Sequence, residues 1–194
     1  MPSYYRDTSN IDPTTNAIKE LSYEHNEVHA GSHFNLEYSV ASIGALESPD
    51  DTMTLTFTTP NTTKWVHMMV SATSSSGARF RFIEGGTGAG ASPTGSLAIY
   101  NSNRNISKSS GIFDIATIPT PNQMSYDATL VTGGTSLIDM YIGADGKGNA
   151  FIGGTERGSQ EWILKQNTQY QLSIYEADTV PGVIQISWYE HTNK

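Results

Sequence analysis

Apolar and polar residues alternate with a period of two over most of this chain. Phe34, Leu36, Tyr38 and Val40 alternate with His33, Asn35, Glu37 and Ser39. Met53, Leu55 and Phe57 alternate with Thr52, Thr54, Thr56 and Thr58, and Phe80 and Phe82 with Arg79 and Arg81. Side chains of a strand point to opposite faces in turn, so each run predicts a strand with one buried and one wet face. Trp65 to Val70 is apolar on both faces and predicts a central strand. Further short strands are expected near 112–118 and 126–131, and a longer one over 137–142. Near the C-terminus Trp162 and Leu164 lead to a turn at Asn167-Thr168. Tyr170, Leu172 and Ile174 then alternate with polar residues, Pro181-Gly182 marks a second turn, and Ile184, Ile186 and Trp188 form the last apolar row. These final strands are expected to make a β-meander.

Two segments break the pattern. Residues 1–16 are polar and aperiodic, with Pro2 and Pro13, and are expected to form an extended N-terminal arm. Residues 17–31 fit neither period cleanly. They predict a short helix or a strand ending at Ala30-Gly31, because glycine commonly terminates a helix. The glycine-rich stretch 85–95 reads as a surface loop. Eight to ten strands, no internal repeat and no linker between cores give an all-β fold: a two-sheet antiparallel sandwich or jelly roll forming one domain over 17–194.

Composition supports the strand reading. Of 194 residues, 18 are Gly, and Ser, Thr and Asn are abundant. None is Cys, so neither a disulfide framework nor a thiolate metal site is available. No apolar run approaches the length of a membrane span, and the first residues lack the basic-then-apolar order of a signal peptide. The formal charge is −8. Residues 1–51 hold nine acids against two bases. Nucleic acid is recognised through clustered Lys and Arg, so this balance argues against such a partner, with only Arg79 and Arg81 as a local basic pair.

Four patterns invite a chemical reading. His25, His29 and His33 are spaced by four, which brings them near one face of a helix or strand and makes them the candidate metal ligands. In a helix, however, Glu27 would point about 200° from His25, the wrong side for a zinc-hydrolase base, and Gly31 would stop the helix before His33. Gly86-Thr87-Gly88-Ala89-Gly90-Ala91 mimics a dinucleotide fingerprint, but Pro93 follows where the helix should begin. Asp145-Gly146-Lys147 puts a lysine at a calcium-ligand position. Asp139 with Glu161, or Asp50 with Asp51, are candidates for glycosidase chemistry by residue type alone, and Asp50-Asp51 beside Pro49 reads as a turn. With no serine-nucleophile elbow and no thiol, no catalytic residue and no cofactor is expected. The tyrosines at 4, 5, 100, 126, 141, 175 and 189 could instead form a sugar-stacking platform or an interface.

Several stretches carry a resemblance. They are His29-Ala30-Gly31-Ser32-His33-Phe34, Leu55 through His67 with its Thr59-Pro60-Asn61-Thr62-Thr63-Lys64-Trp65 turn, Asn101-Ser102-Asn103-Arg104-Asn105, Glu161 through Tyr170, and Trp188-Tyr189-Glu190-His191. Together, over about residues 20–191, they resemble tailed-bacteriophage virion proteins of the capsid-decoration (cement) type. The resemblance implies a non-enzymatic protein on the capsid exterior that binds the major capsid protein and itself, often as a homotrimer. Membrane and nucleic acid are not implied as partners. The alternative is a receptor- or glycan-binding jelly roll of a fibre or tail. Residues expected at interfaces are Tyr4, Tyr5, His25, His29, His33, Trp65, His67 and Arg104.

Overall fold

The structure, a computed structural model, describes residues 23–41, 52–88, 97–111, 113, 125–126, 129–142, 150–152, 161–175 and 181–192. One short helix, α1 (Tyr23–His29), precedes the strands. The strands are β1 (His33–Val40), β2 (Met53–Thr58), β3 (Lys64–Ser74), β4 (Ala78–Glu84), β5 (Ile99–Asn101), β6 (Ser125–Tyr126), β7 (Thr135–Ile142), β8 (Ala150–Ile152), β9 (Trp162–Ile163), β10 (Gln169–Tyr175) and β11 (Gly182–Thr192). They form two antiparallel sheets, and the protein is a β-sandwich. The larger sheet runs β5-β1-β11-β3, with β8 and β9 both pairing the far edge of β3. The smaller sheet runs β6-β2-β10-β4-β7. Among the described residues no helix is long and apolar enough to cross a membrane.

The helix ends where its sequence directs. Gly31 takes φ +67°, the left-handed region that costs a glycine little. The Ser32 amide then donates to the Glu27 carbonyl at 2.8 Å and the Gly31 amide to Val28 at 3.1 Å. This is the Schellman arrangement, which satisfies carbonyls left over by the last turn. The chain enters β1 directly afterwards, so α1 lies against the beginning of β1 and the end of β11.

Each period-two row of large apolar residues faces the space between the sheets. Phe34, Leu36, Val66, Met68, Val70, Ile184, Ile186 and Trp188 come from the larger sheet, and Met53, Leu55, Phe57, Phe80, Phe82, Tyr170, Leu172 and Ile174 from the smaller; all are buried. An unbroken chain of aromatic contacts bridges the two. Phe34 meets Trp188 (ring centroids 5.7 Å apart), Trp188 meets Phe113 (5.4 Å), Phe113 meets Phe57 (5.2 Å) and Phe57 meets Tyr170 (5.7 Å). Tyr170 continues to Phe82 (5.7 Å), which meets Trp162 (6.1 Å) back on the larger sheet. Most of these pairs are tilted or edge-on, as ring quadrupoles favour.

Two expectations are corrected. The C-terminal strands are no meander: β9 pairs β3, β10 enters the smaller sheet between β2 and β4, and β11 crosses to the larger sheet between β1 and β3. Consecutive strands change sheet because closing a sandwich requires both inner faces to be covered. The polar rows of β2 and β10 are not wet either. Thr52, Thr54, Thr56, Gln171 and Ser173 are all buried. At Gln171 and Thr56 the reason is a covering segment, Thr129–Val131. The Gln171 amide donates to the Thr56 hydroxyl and the Thr129 carbonyl, both at 2.9 Å, and its oxygen accepts from the Val131 amide at 3.0 Å. Val131 and Ile83 are buried in the same layer. The arm expected over 1–16, the loop tip at 89–95, the turn at 143–149 and, apart from Phe113, the strand expected over 112–118 lie outside the described residues.

Phe57 joins two links of the aromatic chain, so Phe57→Ala is expected to lower unfolding free energy by about 3–5 kcal/mol in denaturant titration. Gln171→Leu orphans the Val131 amide and leaves the Thr129 carbonyl without this donor. It is expected to cost about 1–3 kcal/mol, with faster amide hydrogen exchange concentrated at 129–132.

Candidate functional site

A cluster of titratable side chains lies on the outer face of the larger sheet. Register brings it together. Tyr189 of β11 stands directly opposite His67 of β3, and His191 opposite Trp65. Directly opposed residues of an antiparallel pair share a face. Val66, Met68 and Trp188 point inward, so Trp65, His67, Tyr189 and His191 point outward together. Ile163 of β9 opposes His67 on the other side, which places Glu161 at the rim of the same group.

Within this group, the His67 Nδ1 lies 2.6 Å from Glu161 Oε1 and 3.0 Å from the Tyr189 hydroxyl. Tyr189 also donates to Glu161 Oε1, at 2.5 Å. The His67 and Tyr189 rings stack, with centroids 4.7 Å apart and planes 19° from parallel. The far nitrogen of His67, Nε2, faces His191 Nε2 at 2.5 Å. Burial lowers the His67 pKa below its ordinary 6.5, and the nearby His191 acts in the same sense. The hydrogen bond and charge of Glu161, with a smaller effect from the buried Glu27 on α1, oppose that shift without reversing it.

The three histidines of the metal expectation separate. His25 and His29 lie one turn apart on the exposed side of α1, with their Nε2 atoms 3.0 Å apart. Glu27 is buried on the other side of the helix, as the 3.6-residue period requires. His33 sits beyond the helix stop, buried at the start of β1, and its Nδ1 meets the Ser102 hydroxyl at 2.5 Å. Among the described residues no three His, Asp or Glu side chains are grouped to hold a metal ion. Ser102 belongs to a braced loop: Asn101 donates to the Gly31 carbonyl (2.9 Å) and Asn103 to that of His29 (3.2 Å). Arg104 follows in that loop, with its guanidinium 5.4 Å from the centre of the exposed Tyr100 ring. Tyr4 and Tyr5 lie outside the described residues.

Asp139 and Glu161 do not face one another across a cleft. Glu161 borders the outer face of the larger sheet, whereas Asp139 lies on the outer face of the smaller one. There Arg79 grips both oxygens of Asp139, at 2.7 and 2.9 Å, and Arg81 approaches to 3.7 Å. The Arg79 guanidinium also lies over the Tyr141 and Tyr175 rings, and that of Arg81 over Tyr175. The basic pair is thus partly neutralised within the chain. Of the tyrosines read as surface aromatics, Tyr175 is buried beneath the arginines and Tyr189 within the histidine cluster, and Tyr126 packs against Tyr38 at 5.2 Å. Tyr100 and Tyr141 remain exposed, at 54% and 72%.

Other charged side chains serve the framework. Glu190 points inward, accepting from the Ser110 hydroxyl, the Gly111 amide (2.9 Å) and Trp188 Nε1 (3.3 Å), with Lys64 at 3.7 Å. Glu84 accepts from Lys165 (2.6 Å) and the Tyr170 hydroxyl (2.9 Å), tying the β9–β10 turn to the end of β4. No protein-family model, no curated protein and no solved structure matches this chain.

The Arg79 hydrogen bond and the charges of both arginines hold the Asp139 carboxyl below its ordinary 3.8. A depressed carboxylate stabilises the fold above the unfolded pKa and ceases to do so as pH falls through the folded value. Asp139→Asn is therefore expected to be less stable than the parent at pH 6, with the gap closing as denaturation is measured at progressively lower pH below about 4.

Proposed function

We propose that this chain is a non-enzymatic structural protein of a virus particle, one that decorates the outside of a tailed-phage capsid by binding the major capsid protein and copies of itself. The supporting observation is the wiring of the sandwich. Leaving aside the short flanking strands β5, β6 and β9, eight strands remain, with β1-β11-β3-β8 in one sheet and β2-β10-β4-β7 in the other. Numbered one to eight along the chain, the sheets read 1-8-3-6 and 2-7-4-5. Every connection but the fourth passes from one sheet to the other. We read this order as that of a jelly roll, an architecture used for viral shells and for lectins. Fold alone does not assign function, and the family resemblance of the sequence supplies the preference for a virion.

The surface supplies the means. β7 is the last described strand of the smaller sheet and offers one edge of backbone donors and acceptors. Met140 and Tyr141 are exposed on it. The neighbouring face carries Arg79 and Arg81 with Asp139, both signs of charge in one patch. A face of mixed sign suits a second copy of the same chain, because identical patches can pair their charges in a symmetric contact. Weak contacts of this kind add up on a lattice, where each copy is held at high local concentration.

Lectins supply the second reading. The exposed Tyr100 ring, braced by the Asn101–Asn105 loop, could stack on a sugar face.

Gradient-purified particles from infected cells are expected to contain the polypeptide, and cryo-microscopy of those particles to show it on the capsid exterior. At high concentration the purified protein is expected to sediment as a trimer, and Tyr141→Glu to shift it toward monomer. Particles that lack the chain would sink this reading. Saturable glycan binding abolished by Tyr100→Ala, with no particle association, would put the lectin reading in its place.

A further inference from the structure

The contact between His67 and His191 limits how many protons the two rings can hold. Two imidazoles have four ring nitrogens, and each nitrogen can bind a proton. The two Nε2 atoms lie 2.5 Å apart, which leaves room for one proton between them and not for two facing N–H groups. In contact, the pair therefore holds at most three protons: one shared, and one on each Nδ1. This limit does not depend on what else either ring touches. With two protons the pair is neutral and with three it carries one positive charge, and both states keep the contact. A fourth proton makes both rings imidazolium. Two N–H groups and two like charges then meet at one point, and the rings must part.

From this geometry we propose that His67 and His191 form an acid-sensitive latch at the end of β11, closed up to the third proton and opened by the fourth. The two rings are held differently. His67 stacks on Tyr189 and lies 2.6 Å from Glu161. His191 is half-exposed and next to the last residue of β11, so it is the ring that swings away. Among the described residues, the titratable groups facing the pair are Tyr189 on β11, Glu161 ahead of β9 and Glu27 on α1. The buried His33 of β1 stands across from Tyr189, and Lys64 lies 3.7 Å from Glu190 on the inward side of the same strand ends. Burial holds the His67 pKa below its ordinary 6.5, His191 adds to the lowering, and Glu161 and Glu27 oppose it. A histidine lowered in the fold gives stability that is present above the ordinary value and lost as pH falls below it. The opening step therefore falls on the acid side of 6.5. Opening releases the last rungs of the β3–β11 ladder, where Trp65 opposes His191 and Lys64 opposes Thr192. The latch does not rest on the virion reading.

His25 and His29 form a second, exposed histidine pair, so the test is run in a His25→Ala/His29→Ala background. The ring resonances of His67 and His191 are expected to titrate together in two steps, as coupled sites do. Amide protection at residues 65–67 and 189–191 is expected to hold through the upper step and to fall about tenfold or more through the lower one. His191→Gln removes the site of the fourth proton and keeps a polar side chain there, and in that protein the loss of protection is expected to vanish. Carboxylates titrate in both proteins, so the comparison cancels their effect. Two independent single-step titrations of the rings would overturn the proposal. So would protection that stays unchanged from about pH 7 to about pH 4.5, or that falls equally in the His191→Gln protein.

Discussion

Two sheets that share no backbone hydrogen bond among the described residues must be held by side chains, and here seven aromatic rings in continuous contact do that. Phe34 and Trp188 stand on one sheet, Phe57, Tyr170 and Phe82 on the other, with Phe113 wedged between them and Trp162 returning to the first. Each ring buries a large apolar area and adds a directional preference that fixes how the sheets sit. A chain with no cysteine has no covalent staple, so its durability rests on this packing. Even the polar ends of the aromatic chain are satisfied: Trp188 donates to Glu190 and Tyr170 to Glu84. Glu190 and Glu84 in turn fasten the residues after β5 and the β9–β10 turn.

With the interior filled in this way, chemistry is left to the outer faces, which differ. The middle of the smaller sheet is roofed by Thr129–Val131, and its exposed surface is displaced toward β7, where arginine, aspartate and tyrosine are layered. The larger sheet is capped at one end by α1, under which His33, Glu27 and Tyr189 are buried. His67 sits at the border of that cap. It is sheltered enough for burial to lower its pKa, yet close enough to the surface for its partner His191 to meet solvent.

The wiring explains why chemically unlike residues meet. In a sandwich whose chain crosses between sheets at nearly every step, neighbours in space are remote in sequence: His67 and His191 are 124 positions apart, Gln171 and Thr56 115. Such contacts form only when the long β3–β11 and β2–β10 ladders are in register. A slip of one residue would turn His67, Tyr189 and His191 inward and Val66, Met68 and Trp188 out.

Local physics was legible in the chain by itself. Period-two alternation gave the inward rows of β1, β2, β4, β10 and β11, because a strand's two faces are set residue by residue. Gly31 gave the end of α1, because only the backbone conformation there matters, and the same argument separated Glu27 from His25. Tyr189 and His191 also share one strand face by spacing alone, a signal that points to a site once a partner strand is known. The partners themselves were decided by tertiary structure. Thr56 and Gln171 read as wet because nothing nearby in sequence covers them; the segment that does cover them lies some forty residues before Gln171 and some seventy after Thr56. The expected meander failed for the same reason, since sequence adjacency favours hairpins while closing two sheets over one core required β9, β10 and β11 to part. His67 was visible as an interface candidate, but its pairing with Glu161 and His191 exists only through strand register, a property of the whole sheet that no single segment contains.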